Sequence, residues 1–338
     1  MVNKKLMILT GALVAIAAVA VLMDNKEKHR STDDQAGKPL LKEADLTKVT
    51  AIELKDDNKT LNLKKDANGQ WLIQEDDQFP AEASKVVKLL ENLSGAKFIR
   101  SISRSKDKWT DLELDKNRHI SLSGEGFSFK VTLGKNRTGG GQFVALGDRP
   151  NSYLLDQSLN LDLEPSNWNF KSIVKLKDEK IKGVHFAELG GDKALKFSRE
   201  KKEDAFKLEG LEEKEKLKDA AVSGLKSILS SVNFTNKVKL TDEYKSKLAS
   251  AREVVVSSFD NYEYKVKLVE IESSKMTTDA EGKEKKEFET KFYFHLTSTD
   301  PALSGLQKIL ETWQLEVSEY LANNFRKSRT DFVEKTQS

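Results

Sequence analysis

Apolar and polar residues alternate in short runs along most of this chain. Ile52 and Leu54, then Leu61 and Leu63, then Trp71 and Ile73 each stand two apart, the spacing of a strand with one buried face. Asp56-Asp57-Asn58-Lys59 and Asn68-Gly69 supply the turns between them. The period then changes. Ala83, Val86, Val87, Leu90 and Leu93 follow i, i+3, i+4, i+7 and predict an amphipathic helix, entered through Pro80 and ended before Phe98. Alternation returns in residues 119–123 and 127–133, joined through Gly124-Glu125-Gly126, and again in 142–146 and 152–155. Residues 156–163 read as a further short helix. Strand runs interrupted by one amphipathic helix predict an α+β fold with antiparallel sheet.

The pattern occurs twice. Ile52 and Leu54 match Val184 and Phe186, Leu61 and Leu63 match Leu195 and Phe197, and Trp71 and Ile73 match Phe206 and Leu208. In the helix, Val86, Leu89, Leu93, Ala96 and Phe98 match Val222, Leu225, Leu229, Val232 and Phe234. Beyond it, Trp109 matches Tyr244, Ile120 matches Val255, and Phe127, Phe129, Val131 and Leu133 match Tyr262, Tyr264, Val266 and Leu268. Asn169-Phe170-Lys171-Ser172 and Asn324-Phe325-Arg326-Lys327-Ser328 close the copies. This ordered series predicts two repeated domains, 45–176 and 177–338, each a mainly antiparallel sheet with one or two packed helices. Charged residues 175–182 lie between them. A chain of 338 residues has room for two such cores.

The second copy departs from the first in two places. A polar loop, 273–286, extends one hairpin before Phe292, Phe294 and Leu296 resume the alternation. Leu303, Leu306, Leu310, Trp313, Val317 and Tyr320 then step 3, 4, 3, 4, 3 and predict a longer C-terminal helix, its seam serving either the core or a coiled-coil partner.

Ahead of both copies, residues 6–23, opening at Leu6 and closing at Met23, carry no charged side chain. Eighteen such residues suffice for a transmembrane helix. Ala18-Val19-Ala20 also fits a signal-peptide cleavage site, but Val21, Leu22 and Met23 continue the apolar run past it, so residues 1–23 read as an uncleaved N-terminal anchor. Lys4 and Lys5 before the span favour an N-inside orientation, with the rest of the chain extracytoplasmic. Residues 24–44 are polar and aperiodic and read as a flexible tether.

Composition narrows the chemistry. Net charge is only +3, from 57 basic and 54 acidic residues well interspersed, which argues against a nucleic-acid protein. The absence of cysteine excludes disulfides, thiolate catalysis, Cys-based metal sites and lipoprotein processing. Gly139-Gly140-Gly141, with Gly134 before it, lacks the Gly-Lys-Ser/Thr ending of a phosphate loop and reads as a hairpin turn. His29, His119, His185 and His295 stand too far apart for a metal motif, and no Gly-x-Ser-x-Gly turn announces a nucleophile. Trp109 and Tyr244 read as core caps, with a ligand-stacking pair as the competing reading. The expectation is no catalytic, cofactor or metal residue.

Further stretches carry a resemblance. They are Val-Thr-Ala-Ile-Glu-Leu from Val49, Gly-Gln-Trp-Leu-Ile from Gly69, Phe-Pro-Ala-Glu-Ala-Ser-Lys-Val from Phe79, Leu-Gly-Asp-Arg-Pro-Asn-Ser-Tyr-Leu-Leu-Asp-Gln-Ser-Leu from Leu146, and Asn-Trp-Asn-Phe-Lys-Ser from Asn167. With the N-terminal span, these resemble the bacterial domain-of-unknown-function 4340 family over residues 49–176. Members are commonly encoded beside gliding-motility-type ABC transporter components. The resemblance implies a single-pass inner-membrane protein, extracytoplasmic and non-catalytic, acting as accessory or scaffold to an ABC-type transporter or envelope machine. The alternative is an anchored envelope hydrolase or ligand-binding protein whose site assembles only in the fold.

Overall fold

Ile52, Leu54, Leu61 and Leu63 are all buried, and they face one another in register, Ile52 opposite Leu63 and Leu54 opposite Leu61. The alternation that predicts strands therefore does so because every second side chain enters a core. A computed structural model of the chain describes residues 35–278, 282 and 284–336. The described residues divide into two compact units, with the boundary between Phe170 and Lys171. The span 6–23 and tether residues 24–34 lie outside the described residues. Among the described residues, no helix is long and apolar enough to cross a membrane.

Unit 1 contains α1 (Glu43–Leu46), β1 (Ala51–Lys55), β2 (Thr60–Lys65), β3 (Trp71–Ile73), β4 (Phe79–Pro80), α2 (Ala83–Gly95), β5 (Phe98–Ser103), β6 (His119–Gly124), β7 (Phe127–Asn136), β8 (Gln142–Leu146), β9 (Ser152–Leu155) and α3 (Pro165–Trp168). The strands form one antiparallel sheet in the order β4-β3-β2-β1-β6-β7-β8-β9-β5. Val86, Leu90 and Leu93 of α2 bury one helix face against it, in a core with Ile52, Leu54, Ile120, Leu122 and Val131. Leu112 and Leu114, with Trp109 beside them, form a smaller cluster with Ala145 and Phe143. Val144 lies in the main core while Ala145 beside it does not, so the two clusters sit on opposite faces of the sheet.

Unit 2 contains β10 (Ser172–Val174), β11 (Ile181–Phe186), β12 (Leu195–Ser198), β13 (Lys207–Leu208), β14 (Glu215–Leu217), α4 (Asp219–Ser223), β15 (Val232–Asn233), β16 (Asn236–Lys239), α5 (Asp242–Ser250), β17 (Glu253–Ser258), β18 (Glu263–Thr278), β19 (Glu284–Ser298), α6 (Ser304–Leu310), β20 (Trp313–Val317), α7 (Glu319–Ala322), α8 (Arg329–Phe332) and β21 (Val333–Lys335). Its main sheet runs β13-β12-β11-β17-β18-β19-β20-β16. Strand for strand, this is the unit 1 order without β4. Both folds are α+β with antiparallel sheet. The registers agree as well: Val184 lies opposite Phe197 and Phe186 opposite Leu195, as Ile52 lies opposite Leu63 and Leu54 opposite Leu61.

Structure corrects the sequence reading in several places. Ile120 lies opposite Leu54, and Val254 lies opposite Phe186, so the partner of Ile120 is the buried Val254 and not Val255, one residue on. A one-residue slip reverses the face, and Val255 is only half-buried. Residues 35–44 are not tether. Pro39 bridges Lys97, Leu40 and Leu41 are buried, and Leu40 N donates to Ala96 O at 2.7 Å. The same lead-in recurs in β10, where Ser172 pairs with Asn233 and Ile173 and Val174 are buried.

The closing motif is likewise displaced. Glu82 N donates to Trp168 O at 2.7 Å, and Lys218 N donates to Phe332 O at 2.8 Å. Trp168 and Phe332 are therefore equivalent, and Asn324-Phe325 is not the second copy of Asn169-Phe170. Unit 1 thus closes at Phe170 and unit 2 opens at Lys171, six residues before the expected boundary. Residues 175–182 are no linker: Leu176 is buried, its N–H donating to Leu229 O at 2.8 Å.

Several helices also differ from expectation. Pro80 sits in β4, and α2 starts at Ala83. The helix expected in 156–163 lies instead at α3, where Pro165 occupies the first turn. In unit 2, α4 stops after five residues and continues as a 3-10 turn at Gly224. The long C-terminal helix ends at Leu310, and β20 follows. Trp313 and Val317 are four apart, which suits either period, but Leu315 between them is also buried and aligns with Phe294. Pairing with β19 and β16 on both sides decides for strand. Finally, the loop 273–286 is largely ladder. β18 and β19 pair continuously from Tyr264–Ser298 out to Thr278–Glu284.

Candidate functional site

The residues singled out by sequence converge on the face of each sheet opposite the main core. In unit 1 the chain leaves β5, passes Trp109, and lies across β7. Lys135 N donates to Leu112 O at 2.9 Å. Gly134 permits this approach, because a Cβ there would lie 2.4 Å from Leu112 O. Trp109 is half-buried and fixed by its indole N–H, which donates to Pro150 O at 3.0 Å. Lys106 Nζ stands 4.5 Å above its ring.

Between this segment and the β8–β9 turn lies an open cleft of about 390 Å³, lined by Lys106, Trp109, Asn117, His119, Lys130 and Asp148 among others. His119 is buried, and its Nε2 lies 2.8 Å from Glu53 Oε1. Glu53 in turn lines a second cleft, also about 390 Å³, with Asn62, Gln74 and Ser121. Hydrogen bonds from Lys116 and Arg118 hold the nearby Glu113 carboxyl below the usual carboxylate range. Hydroxyls of Ser105 and Ser103 do the same for Asp107. The result is a polar surface of mixed charge, suited to recognition of a polar partner or ligand.

Unit 2 fills the equivalent place. There α5, capped by Thr241 accepting from Tyr244 N, lays Tyr244 on Val269, Ile271 and Tyr293. Trp109 and Tyr244 thus both cap the smaller cluster of their unit, by different means: an irregular crossing in one, a nine-residue helix in the other. Tyr244 is buried, and its Oη lies 3.3 Å from His295 Nδ1.

Other sequence candidates lie apart from these. Gly139, Gly140 and Gly141 form the β7–β8 turn, all at positive φ. A Cβ on Gly141 would lie 2.2 Å from Leu155 O. No helix follows, so their N–H groups form no phosphate cradle. His185 is half-buried on β11, and His29 lies outside the described residues. Among the described residues, no serine hydroxyl hydrogen-bonds a histidine, and no group of three or more His, Cys, Asp or Glu could hold a metal ion.

A buried arginine, Arg199, and a half-buried one, Arg252, carry no sequence signal. Arg199 donates to the carbonyls of Ile181 at 2.8 Å, Asp178 at 2.7 Å and Lys202, with Phe206 and Phe259 beside its guanidinium. Arg252 donates to Ala187 O and Lys327 O, both at 2.7 Å. Both tie loops of unit 2 together through backbone carbonyls, contacts that no motif announces.

No curated protein and no solved structure matches the chain. The family model described as domain of unknown function (DUF4340) matches residues 71–252. The match starts at β3 of unit 1 and ends within unit 2, just after α5. It covers more than half of the 338 residues, and the chain belongs to the DUF4340 family.

Proposed function

We propose that this protein is a single-pass, membrane-anchored, extracytoplasmic accessory or scaffold subunit working with an ABC-type transporter or related envelope machine. The anchor is the apolar span 6–23 at the inner membrane. The observation that carries the reading is the form of the two units. Each has a well-filled core on one sheet face; the other face carries open polar clefts in unit 1 and is covered by α5 in unit 2. Unit 2 adds a two-stranded arm, residues 272–290, that unit 1 lacks. Packed sheets with broad outer faces present area to a partner protein, whereas small-molecule sites are enclosed and mostly apolar.

Affinity capture of the full-length chain from detergent-solubilised membranes tests the proposal. Recovery of transporter or envelope-machine subunits is the expected result. Reproducible capture of the folded protein alone overturns it. A second reading, ligand binding, rests on the Trp109–His119 cleft. Screening polar small molecules by thermal shift separates the two, since a specific ligand of that cleft raises the melting temperature without any partner.

A further inference from the structure

Beneath α5, unit 2 holds an ionisable cluster that unit 1 lacks. His295 is half-buried, with Tyr244 Oη 3.3 Å from its Nδ1. Lys267 stands directly opposite His295 across the β18–β19 ladder. Its Nζ donates to Leu248 O of α5 at 3.3 Å, while Lys247 Nζ donates to Glu270 O of β18 at 3.0 Å. The charged and titratable groups on the elements around the imidazole are Tyr244, Lys247 and Glu243 on α5, Glu253 on β17 opposite Lys267, Lys267 on β18, Tyr293 on β19, and Glu316 on β20. Glu243 is paired with Lys247 at 3.3 Å, and Glu316 with Lys291 at 3.7 Å. Among the described residues, no carboxylate pairs with His295.

We propose that α5 is an acid-released flap, seated while His295 is neutral and accepts a hydrogen bond from Tyr244, and unseated when His295 takes up a proton. Burial keeps the Tyr244 phenol protonated, so it serves as the donor to a neutral imidazole. A proton on Nδ1 ends that acceptance. The imidazolium can then donate to the phenolic oxygen, but only with its charge set in a partly desolvated place facing the Lys267 ammonium. Burial, and then Lys267, hold the His295 pKa below its ordinary value of 6.5. The sign follows. A folded-state pKa below the unfolded one gives stability that is present above the unfolded value and lost as pH falls through the folded value.

Release uncovers Val269, Ile271 and Tyr293, an apolar patch on the outer face. In unit 1, register places Ala145 where His295 stands and Thr132 where Lys267 stands, so unit 1 has no counterpart of this pair. Nothing in this depends on the accessory role proposed above.

Hydrogen exchange of the full-length chain at pH 7.5 and pH 5.0, corrected for intrinsic rates, tests the flap. Amides of α5 are expected to lose protection severalfold at pH 5.0, while β11 and β17 keep theirs. His295→Gln, which keeps an acceptor for Tyr244 but cannot charge, should hold α5 closed at both values. Lys267→Met, which removes one cause of the lowered His295 pKa, should make the loss at pH 5.0 smaller. Equal α5 protection in the wild type at both values overturns the proposal, as does the same loss in His295→Gln. If His295→Gln leaves α5 open at pH 7.5, then Lys267→Met decides: a loss between pH 7.5 and pH 5.0 as large as in the wild type overturns the proposal.

Discussion

Leu93 and Leu229 show how a single side chain reports on the arrangement. They occupy matching positions in the two units, one in α2 and one after the short α4 and its 3-10 turn, and both have no exposed surface. Truncating a fully buried leucine costs about 2–5 kcal/mol, through lost transfer energy and the cavity left behind. Leu93→Ala and Leu229→Ala should therefore each destabilise their own unit by a cost in that range, measured by chemical denaturation. Val87, at 51% exposure beside the buried Val86, serves as the internal control, and Val87→Ala should change stability by under about 0.5 kcal/mol. At this scale the sequence was easily read. Of the helix stripe it proposes, Val86, Leu90 and Leu93 are buried, Ala83 and Val87 are exposed, and Leu89 packs partly against the core. Ala83 is the first residue of the helix, and Val86 and Val87 are adjacent, so that one helix face holds only one of them.

Elements were legible where one period dominated and illegible where two fitted. The steps 303, 306, 310, 313, 317 and 320 satisfy a helix, but the same Trp313–Val317 step satisfies a strand. Only the neighbours β19 and β16, which lie far off in sequence, decide between them. The arm was obscured differently. Its residues are mainly polar, so nothing in 273–286 marks a strand by alternation, yet ladder pairing propagates outward from the buried base at Val266–Leu296. Ser273 and Thr277 hydroxyls donate across it to Glu289 O and Lys285 O, each at 3.2 Å. Among the described residues, the arm contributes no buried side chain between Ile271 and Phe292, and Met276 and Phe288 stand 58% and 75% exposed. Replacing residues 274–288 by an Asn-Gly turn should therefore leave the melting temperature almost unchanged. It should also weaken partner capture from membranes. A large fall in melting temperature would show that the arm is structural, and undiminished capture would show that it is a solvated insertion.

At the scale of the whole molecule, the chain is one strand order used twice. The candidate site shows why that order alone does not reveal function. Two equivalent outer faces receive different covers, a loop bearing Trp109 in one and α5 bearing Tyr244 in the other. Sequence placed both aromatics at equivalent points, but the cleft beside Trp109 and the His295 cluster under α5 each depend on residues distant along the chain. The junction follows the same logic. Phe170 N donates to Pro80 O at 2.9 Å within unit 1, and Phe234 N donates to Lys171 O at 3.0 Å within unit 2. Each unit thus closes its own hydrogen bonds at a shared boundary, with no linker residue between them. The most direct test is to produce residues 35–170 and 171–338 as separate chains and follow their unfolding by calorimetry. Each should fold alone and give its own cooperative transition. If either piece stays unfolded under conditions where the full-length chain folds, the two units are not complete domains.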